Sequence, residues 1–406
     1  MKLLIVGLNY APEPVGIGPY TTGMAEALVE RGNEVRVIAG RPYYPQWRTY
    51  PGFTGLWRRS EENGVSVTRC AHYVPRRPAG LRRIVHLASF ALSALVPALR
   101  QARWKPDVVL CVAPALLSVP VAWLTTRLTG AKLWIHVQDF EVEAAFATGL
   151  VDERGLAARI ARRLENRLLG LADRVSTISP QMAARLTAKG VTPDKVVEIR
   201  NWADDRFRPD PEAGAAYRRE WGLETRKVAL YSGNVANKQG IEILIDAARR
   251  LAHRDDIVFV ICGEGPNRFR LEELAVGLGN VQLHDLQPAE RMGELLALAD
   301  LHLLPQIPGA ADLVLPSKLT NMLASGRPVV ATAERGSGLY NEVEGCGVAT
   351  PPGDAGALAD AIAALIDDPA RRAALGAAAA ARAGERWPKG RIIDRLESEL
   401  QRLCEA

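Results

Sequence analysis

The feature that most constrains the fold of this chain is an alternation of short β-branched apolar segments with longer helical segments. In the first half, the predicted strands are Leu3–Leu8, Glu34–Ala39, Val65–Ala71, Asp107–Val112, Ala131–Val137, Arg174–Ile178 and Val196–Ile199. In the second half, they are Val228–Ser232, Ile257–Cys262, Val281–Leu283, Leu301–Leu304 and Pro328–Ala331. Alternating strands and helices are typical of α/β folds built on parallel sheets.

The strand–helix pattern restarts near Lys227, and a chain of 406 residues is long enough for two hydrophobic cores. The preceding stretch, Asn201–Glu212, is dense in proline and aspartate, which interrupt regular elements. The last segment, Trp387–Glu405, has apolar residues at helical spacing. We therefore expect a first domain over residues 1–205, a second over residues 206–386, and a terminal helix over residues 387–406 that packs back on the first domain.

Charge, cysteine content and hydropathy narrow the classes of function. The formal net charge of +5 is modest for this length and fits an anionic ligand or an anionic membrane surface. The five cysteines are far apart in sequence, which is typical of reduced thiols in a cytosolic protein. The apolar residues 1–7 are too few for a signal peptide and indicate a first strand. Because no unbroken run of 18 apolar residues occurs, we expect no membrane-spanning helix.

Three glycine-containing turns follow predicted strands. Gly16 and Gly18 precede a helix, an arrangement whose backbone N–H groups can bind an anion or which forms a simple tight turn. The pattern is not G-x-G-x-x-G and no acidic residue ends the second strand, so an NAD site is poorly supported.

The other two turns lie in the second half. Asn234 and Lys238 follow the first strand there, where the lysine is either a diphosphate ligand or a solvated loop residue. Gly263, Glu264 and Gly265 follow the next strand, at the sheet edge where open α/β folds bind ligands.

The most informative segment is Ala310–Val330. Pro316 is expected in the first turn of a helix, which would give Ser317 and Lys318 free backbone N–H groups at the positive helix end. Asn321 lies one turn further on and can hydrogen-bond a ribose. Asp312 lies just before the helix, within reach of a sugar hydroxyl.

His136 is the candidate for a catalytic side chain in the first half. It lies at the end of an apolar strand and is followed by Asp139 and Glu141. A lone histidine is usually structural, but a strand end beside two carboxylates favours a role in a cleft.

Together these segments resemble family 4 of the retaining glycosyltransferases, which have the GT-B fold of two Rossmann-like domains with parallel sheets facing across a cleft. The similarity is greatest to the bacterial exopolysaccharide branch, which includes colanic acid fucosyltransferases and N-acetylfucosamine transferases of O-antigen pathways. The segments that carry the resemblance are Asn9–Glu13, Gly16–Gly18, Pro42–Trp47, His136–Glu141, Tyr231–Asn234, Lys238–Gly240 and Pro316–Leu323.

The resemblance implies that a nucleotide diphosphate-sugar donor, linked to GDP or UDP, is held mainly by the second domain as a substrate, with no separate cofactor. Lys238 would contact the diphosphate, and the backbone at Ser317, Lys318 and Leu319 its terminal phosphate. The turn at residues 263–266 would line the nucleotide pocket. Gly16 and Gly18 would close over the diphosphate, and His136 would face the transferred sugar and the acceptor.

Two positions depart from the family pattern. Family 4 usually has two glutamates eight positions apart, where this chain has Leu313, with Asp312 beside it, and Asn321. Asn234 replaces the usual arginine that precedes the lysine of the phosphate loop. The chain also contains no Asp-X-Asp triplet of the kind that holds a metal in the other major glycosyltransferase fold, so we expect metal-independent transfer.

The preferred interpretation is a glycosyltransferase that acts on a lipid-linked saccharide and binds no nucleic acid. The donor remains open between GDP-fucose and a UDP-linked amino sugar. The alternatives are a sugar-nucleotide 2-epimerase of the same fold and an inactive nucleotide-sugar-binding subunit. The stretch Val74–Trp104 opens with four arginines and continues as an apolar helix that breaks at Pro97. A buried helix of the first domain would explain the apolar part, whereas the four arginines before it favour a cytoplasmic enzyme held peripherally on the inner face of the plasma membrane.

Overall fold

The computed structural model describes residues 1–76, 80–114, 116–140, 142, 155–203, 210, 212–235, 239–308 and 316–405. The chain forms two compact units, which we describe separately. Unit 1 comprises residues 1–201 with 390–406, and unit 2 comprises residues 202–389. These divisions fall four residues before and three residues after the expected domain boundaries.

The strands of the two units are, in chain order, β1 Lys2–Gly7, β2 Glu34–Gly40, β3 Trp57–Glu62, β4 Val65–Cys70, β5 Val108–Ala113, β6 Lys132–Val137, β7 Arg174–Thr177, β8 Val196–Glu198, β9 Lys227–Ser232, β10 Ile257–Cys262, β11 Val281–His284, β12 Leu301–Leu304, β13 Val329–Thr332 and β14 Gly347–Thr350. Each predicted strand coincides with one of these to within one residue at either end. β3 and β14 were not predicted.

The helices are α1 Gly18–Glu30, α2 Leu81–Arg100, α3 Val119–Thr129, α4 Leu156–Gly170, α5 Pro180–Ala188, α6 Ala215–Glu220, α7 Glu242–Arg250, α8 Arg268–Ala275, α9 Met292–Leu298, α10 Lys318–Ala324, α11 Gly338–Val343, α12 Ala355–Asp367, α13 Pro369–Arg386 and α14 Lys389–Glu405.

Unit 1 is built on an eight-stranded sheet of order β3-β4-β2-β1-β5-β6-β7-β8. Its strands are parallel except β3, which pairs antiparallel with β4 at the sheet edge. The helices α2, α3, α4 and α5 contribute to one apolar cluster on the sheet, which includes Phe90, Ala122, Leu169 and Met182. The central strands are almost wholly buried because helices connect consecutive parallel strands and cover the sheet.

The terminal helix α14 belongs to unit 1. It buries Ile392, Ile393, Leu396, Leu400 and Leu403, the five apolar positions that suggested a helix. Arg31, which follows α1, donates to Asp394 at 2.5 Å and to Glu397 at 3.0 Å on α14. A buried stripe and two ion pairs therefore hold the end of the chain against unit 1.

Unit 2 is built on a six-stranded parallel sheet of order β11-β10-β9-β12-β13-β14. Its central strands β9 and β10 are buried along almost their whole length. The turns after β9 and β10 are next to each other at the carboxyl edge because these strands are parallel neighbours, and the strand order reverses beside them, between β9 and β12. Open α/β sheets bind ligands at such a switch point.

The helix α2 extends further than its sequence suggests. The helical stretch Leu81–Arg103 is long and apolar enough to cross a membrane by length and composition alone, a test that core helices also pass. However, Phe90 and Ala94 pack into the core of unit 1, and 39% of its most apolar window is buried. The helix α2 therefore packs on the sheet of unit 1 as one of its covering helices.

The expected helix break at Pro97 is wrong, since α2 continues through it to Arg100. A proline within a helix has no N–H for the carbonyl four residues earlier, here that of Ser93. The indole Nε1–H of Trp57 donates to that carbonyl at 2.9 Å. The unpaired acceptor is thus satisfied from β3, and the helix tolerates the proline.

Candidate active site

The glycine turn of unit 1 leaves β1 and enters α1. Gly16 has φ +76°, and a Cβ atom there would lie 3.2 Å from Cε1 of Tyr44. Gly18 begins α1, and a Cβ atom there would lie 3.0 Å from the Cβ of Glu13. Gly16 therefore suits its left-handed backbone, and both glycines let the turn lie close against Glu13 and Tyr44.

Glu13 ties this turn to the loop that follows β2. Its side chain is 3% exposed, and Oε1 accepts from the backbone N–H groups of Tyr43 at 2.9 Å and Tyr44 at 3.0 Å. Oε2 accepts from Nδ2 of Asn9 at 2.8 Å. Burial raises the pKa of Glu13, and these hydrogen bonds oppose the rise. Glu13 has no predicted role of its own, although an acidic residue between two prolines in an apolar segment is a usable sequence signal.

His136 lies near the end of β6, 2% exposed, in a buried polar network. Its Nδ1 is 2.8 Å from Oγ of Ser176, and its Nε2 is 3.0 Å from Nε2 of Gln138. Gln138 and Asn201 exchange two amide hydrogen bonds of 2.9 and 2.8 Å. Burial lowers the pKa of His136 to about 4, so the ring is neutral at pH 7.

This network fixes the histidine tautomer. Because Gln138 can only donate from Nε2, Nε2 of His136 accepts, and Nδ1–H donates to Ser176. Both ring nitrogens therefore have protein partners. That His136 faces the transferred sugar and the acceptor stays a prediction. Asp139 follows two residues after β6 and is partly buried, whereas Glu141 lies outside the described residues.

In unit 2, the turns after β9 and β10 are joined through their backbones. The N–H of Gly233 donates to the carbonyl of Cys262 at 2.9 Å, and that of Val235 to Glu264 at 2.8 Å. A Cβ atom at Gly263 would lie 1.9 Å from the carbonyl oxygen of Gly233, so no side chain fits there. A Cβ atom at Gly265, which has φ +152°, would lie 2.2 Å from the carbonyl oxygen of Val235. The structure thus brings Asn234 together with Gly263, Glu264 and Gly265.

The side chain of Lys318 extends across this joined turn. Its Nζ donates to the hydroxyl of Tyr231 at 2.6 Å and lies 4.2 Å from the centroid of that ring. The same Nζ lies 2.5 Å from where a Cβ of Gly233 would be. The Tyr231 hydroxyl donates in turn to the carbonyl of Asn234 at 2.7 Å. The sequence pattern predicts a role only for the backbone of Lys318, so the position of its ammonium is a finding of the structure.

The start of α10 differs from the prediction. The helix begins at Lys318 with Ser317 as N-cap, so Pro316 precedes the first turn rather than lying within it. The N–H of Leu319 donates to the carbonyl of Pro316 at 3.0 Å, which closes the turn that starts the helix. That amide is therefore occupied and is not available to a phosphate in this structure. Asn321 lies one turn into the helix, partly buried.

Two predicted site residues, Lys238 and Asp312, lie outside the described residues. Among the residues that the structure does describe, no three His, Cys, Asp or Glu side chains form a group that could hold a metal ion. At the carboxyl edge of the unit 2 sheet, the ammonium of Lys318 lies over Gly233, in a joined turn that also carries Asn234 and Glu264. A cation beside exposed backbone is suited to an anionic ligand such as a phosphate.

Comparison with known proteins identifies both units. Residues 15–202 match the family model described as a glycosyl transferase 4-like domain, and residues 215–382 match that of glycosyl transferases group 1. The chain is 43% identical over 342 residues to the putative colanic acid biosynthesis glycosyl transferase WcaI of Escherichia coli K12, covering 82% of this chain and 84% of that protein.

Solved structures show the same fold at low sequence identity. Sucrose-phosphate synthase from Thermosynechococcus elongatus has a TM-score of 0.77 at 20% identity and covers 99% of both chains. Anabaena HepE in complex with UDP and glucose has a TM-score of 0.72 at 18% identity, covering 98% of this chain and 99% of HepE. With a parallel α/β sheet in each unit and a family model matched to each, the chain belongs to the family 4 glycosyltransferases and has the GT-B fold.

Proposed function

We propose that this glycosyltransferase moves a sugar, with retention and without a metal ion, from a nucleotide diphosphate-sugar to a lipid-linked saccharide in bacterial surface polysaccharide synthesis. The observation that carries the proposal is the ammonium of Lys318 above the joined turn of Gly233 and Gly263. The name of WcaI, a colanic acid biosynthesis enzyme, favours an exopolysaccharide product. The complex of HepE with UDP and glucose supports a nucleotide-sugar donor.

The chemistry requires stabilisation of the negative charge that develops on the departing diphosphate. Lys318 supplies one positive charge at this edge of the sheet, and Lys238 would supply a second. The backbone at Ser317 and Lys318 would bind the terminal phosphate. Asn321 would hold the ribose and Asp312 a sugar hydroxyl. These assignments give unit 2 the main donor-binding role.

The residues of unit 1 would serve the acceptor and the reacting centre. Gly16 and Gly18 would close over the diphosphate, to which a glycine turn before a helix can offer backbone N–H groups. His136, neutral and doubly hydrogen-bonded, would orient neighbouring groups rather than act as an obligate base. In a retaining reaction, the departing phosphate would take up the proton of the acceptor hydroxyl, and Asp139 would contact the sugar.

A donor panel tests this function. Thermal unfolding is measured with GDP-fucose, UDP-linked amino sugars and the free nucleotides. A ligand at 100 times its Kd stabilises the folded protein by about 2.7 kcal/mol. The stabilising donor is then incubated with the enzyme and a lipid-linked acceptor, and the product anomer is assigned by NMR with and without EDTA. Absence of stabilisation by every donor, or an inverted product, would contradict the proposal.

The 2-epimerase and the inactive subunit are less well supported, because the relative at 43% identity is named as a glycosyl transferase. Release of a free C2-epimerised sugar nucleotide without transfer would restore the epimerase alternative. Binding of the donor without hydrolysis or transfer would restore the inactive subunit.

The lipid-linked acceptor also gives a reason for attachment to the inner face of the plasma membrane. The proposed contact is the stretch Val74–Trp104, in which Arg76, Arg82 and Arg83 accompany the apolar helix α2. Arg77, the fourth arginine of this group, lies outside the described residues. Basic residues near an anionic leaflet contribute about 1 kcal/mol each to membrane binding.

A further inference from the structure

Three helices lie side by side on one face of the unit 1 sheet. The helices α2, α3 and α4 pack on the same apolar cluster, and α2 contacts α3 directly. The helix α3 connects β5 to β6, and α4 connects β6 to β7, which are neighbouring parallel strands. Right-handed crossovers place such consecutive helices next to each other on one face. We call the outward side of these helices the three-helix face.

Large apolar side chains are exposed on the three-helix face. The side chain of Leu92 on α2 is 73% exposed, and that of Leu128 on α3 is 58% exposed. Leu156, Ile160 and Leu164 follow one another at four-residue spacing on α4 and are 68%, 56% and 46% exposed. They form a stripe along the outer side of the helix, opposite the buried residues. In the described part of unit 2, the large apolar side chains exposed to this extent are Phe269 and Val276.

The charge of the three-helix face is almost entirely positive. Its helices contain eight arginines and one glutamate, whereas the whole chain has a net charge of only +5. The glutamate, Glu165, is buried and accepts from Nζ of Lys189 at 2.5 Å, so it does not offset the exposed arginines. On α4, Arg159, Arg163 and Arg167 are exposed and follow the apolar stripe at the same four-residue spacing. An apolar stripe flanked by arginines is typical of helices that lie in a membrane interface.

We propose that the three-helix face is a monotopic membrane-docking surface, in which the apolar side chains of α2, α3 and α4 enter an anionic leaflet and their arginines contact lipid phosphates. This inference deepens the proposed function, since it names the surface that brings the enzyme to a lipid-linked acceptor. It extends the contact from α2 to α3 and α4, with Leu156, Ile160 and Leu164 as inserted residues.

Charge selects the lipid surface over other occupants of this face. A second copy of the chain would present the same arginines, and like charges repel across an interface. A nucleic acid would pair with the arginines but would leave the apolar stripe in water. An anionic leaflet satisfies both features at once.

The test is co-sedimentation of the full-length protein with vesicles. Vesicles of phosphatidylcholine with phosphatidylglycerol are compared with vesicles of phosphatidylcholine alone, at low and high salt. One variant carries Leu156→Ser, Ile160→Ser and Leu164→Ser, and a second carries Arg159→Gln, Arg163→Gln and Arg167→Gln. The matched control carries Phe269→Ser and Val276→Ser on unit 2. All five substituted apolar residues are exposed, and circular dichroism checks that each variant is folded.

We expect the wild type and the control to bind the anionic vesicles, and to bind more weakly at high salt. Each arginine of the second variant should account for about a fivefold loss of partitioning. Wild-type protein that fails to bind anionic vesicles, or α4 variants that bind as well as wild type, would overturn the proposal. A dimer in solution that is lost in the variant with Leu156→Ser, Ile160→Ser and Leu164→Ser would also overturn the proposal, because a second copy of the chain would then cover the three-helix face. Stabilisation by nucleotide is measured on the same variants, so loss of donor binding is distinguished from loss of membrane binding.

Discussion

At the residue scale, buried polar side chains organise both parts of the candidate site. His136 is saturated with hydrogen bonds, Glu13 connects two loops, and Lys318 extends over a glycine turn. Each depends on neighbours that are distant in sequence. Their contributions to stability and to donor use are therefore separable by substitution.

The first prediction concerns stability against pH. The pKa of His136 is about 4 in the folded protein, below its ordinary value near 6.5. The unfolded chain therefore binds a proton that the folded chain does not, and stability falls as pH decreases from about 6.5 to about 4. His136→Ala should make this slope shallower by up to about 1.4 kcal/mol per pH unit. Urea unfolding at a series of pH values measures the slope, and an unchanged slope would mean that His136 is protonated when folded.

The second prediction concerns turnover. His136→Ala should lower kcat more than it weakens donor binding, because it removes a group that holds Gln138 and Asn201 rather than a diphosphate ligand. His302→Ala is a matched control, since His302 is also fully buried and bonded to a serine, Ser325, at 3.0 Å. Steady-state kinetics measures kcat and the donor KM of both variants. Loss of donor affinity with full kcat in His136→Ala would contradict the assignment.

The third prediction concerns Glu13. Glu13→Ala should destabilise the protein by about 1–3 kcal/mol and raise the donor KM, because two buried backbone N–H groups lose their acceptor. Glu13→Gln keeps an oxygen acceptor in its side-chain amide, so its stability and its donor KM should stay close to those of the wild type. Glu30→Ala, at the exposed end of α1, is the control. Equal donor KM for Glu13→Ala and wild type would show that the loop does not depend on this carboxylate.

The fourth prediction concerns the cations of unit 2. Lys318→Met and Lys238→Ala should each weaken donor binding about 10- to 100-fold, since a charge-assisted hydrogen bond contributes roughly 1.5–3 kcal/mol. Tyr231→Phe keeps the amine of Lys318 but removes its hydroxyl partner, so it should have a smaller effect. Calorimetric titration with the donor checks all three, and Lys227→Met is the control. Undiminished affinity in a lysine variant would remove that lysine from the site.

At the element scale, burial explains which strands could be predicted. Apolar side chains fill β10, so its sequence alone marks it as a strand. The strand β3 is an exposed antiparallel edge, so its sequence Trp57–Glu62 is mostly polar and shows no apolar pattern typical of a strand. Its charged side chains protect that edge from pairing with other chains. Gly347–Thr350 of β14 is too short for its apolar residues to show a period.

The fifth prediction concerns α14. Leu396→Ala should lower the free energy of unfolding by about 2–5 kcal/mol, because Leu396 is 1% exposed and the substitution leaves a cavity. Arg395→Ala, one residue earlier on the exposed side, should change it by less than about 0.5 kcal/mol. Chemical unfolding of the full-length protein measures both. Equal stability of the two variants would show that α14 contributes little to unit 1.

At the scale of the whole molecule, the sequence predicts the two α/β units and the glycine turns but not the tertiary contacts of the site. Asn234 and Gly263 follow predicted strands, and parallel strands end at the same sheet edge. The position of the Lys318 ammonium depends on how α10 lies against β9, which no local pattern encodes. The bonds from Glu13 to residues 43 and 44 likewise span thirty residues.

The composition of unit 1 from both ends of the chain has a consequence for biosynthesis. The ribosome makes residues 1–201 before unit 2 and the residues of α14 after it. Unit 2, which is continuous in sequence, can therefore complete its core while unit 1 still lacks the five apolar side chains of α14. During that interval, the surface that α14 will cover remains open to chaperones and proteases. The domain that begins synthesis first is thus the last to be finished.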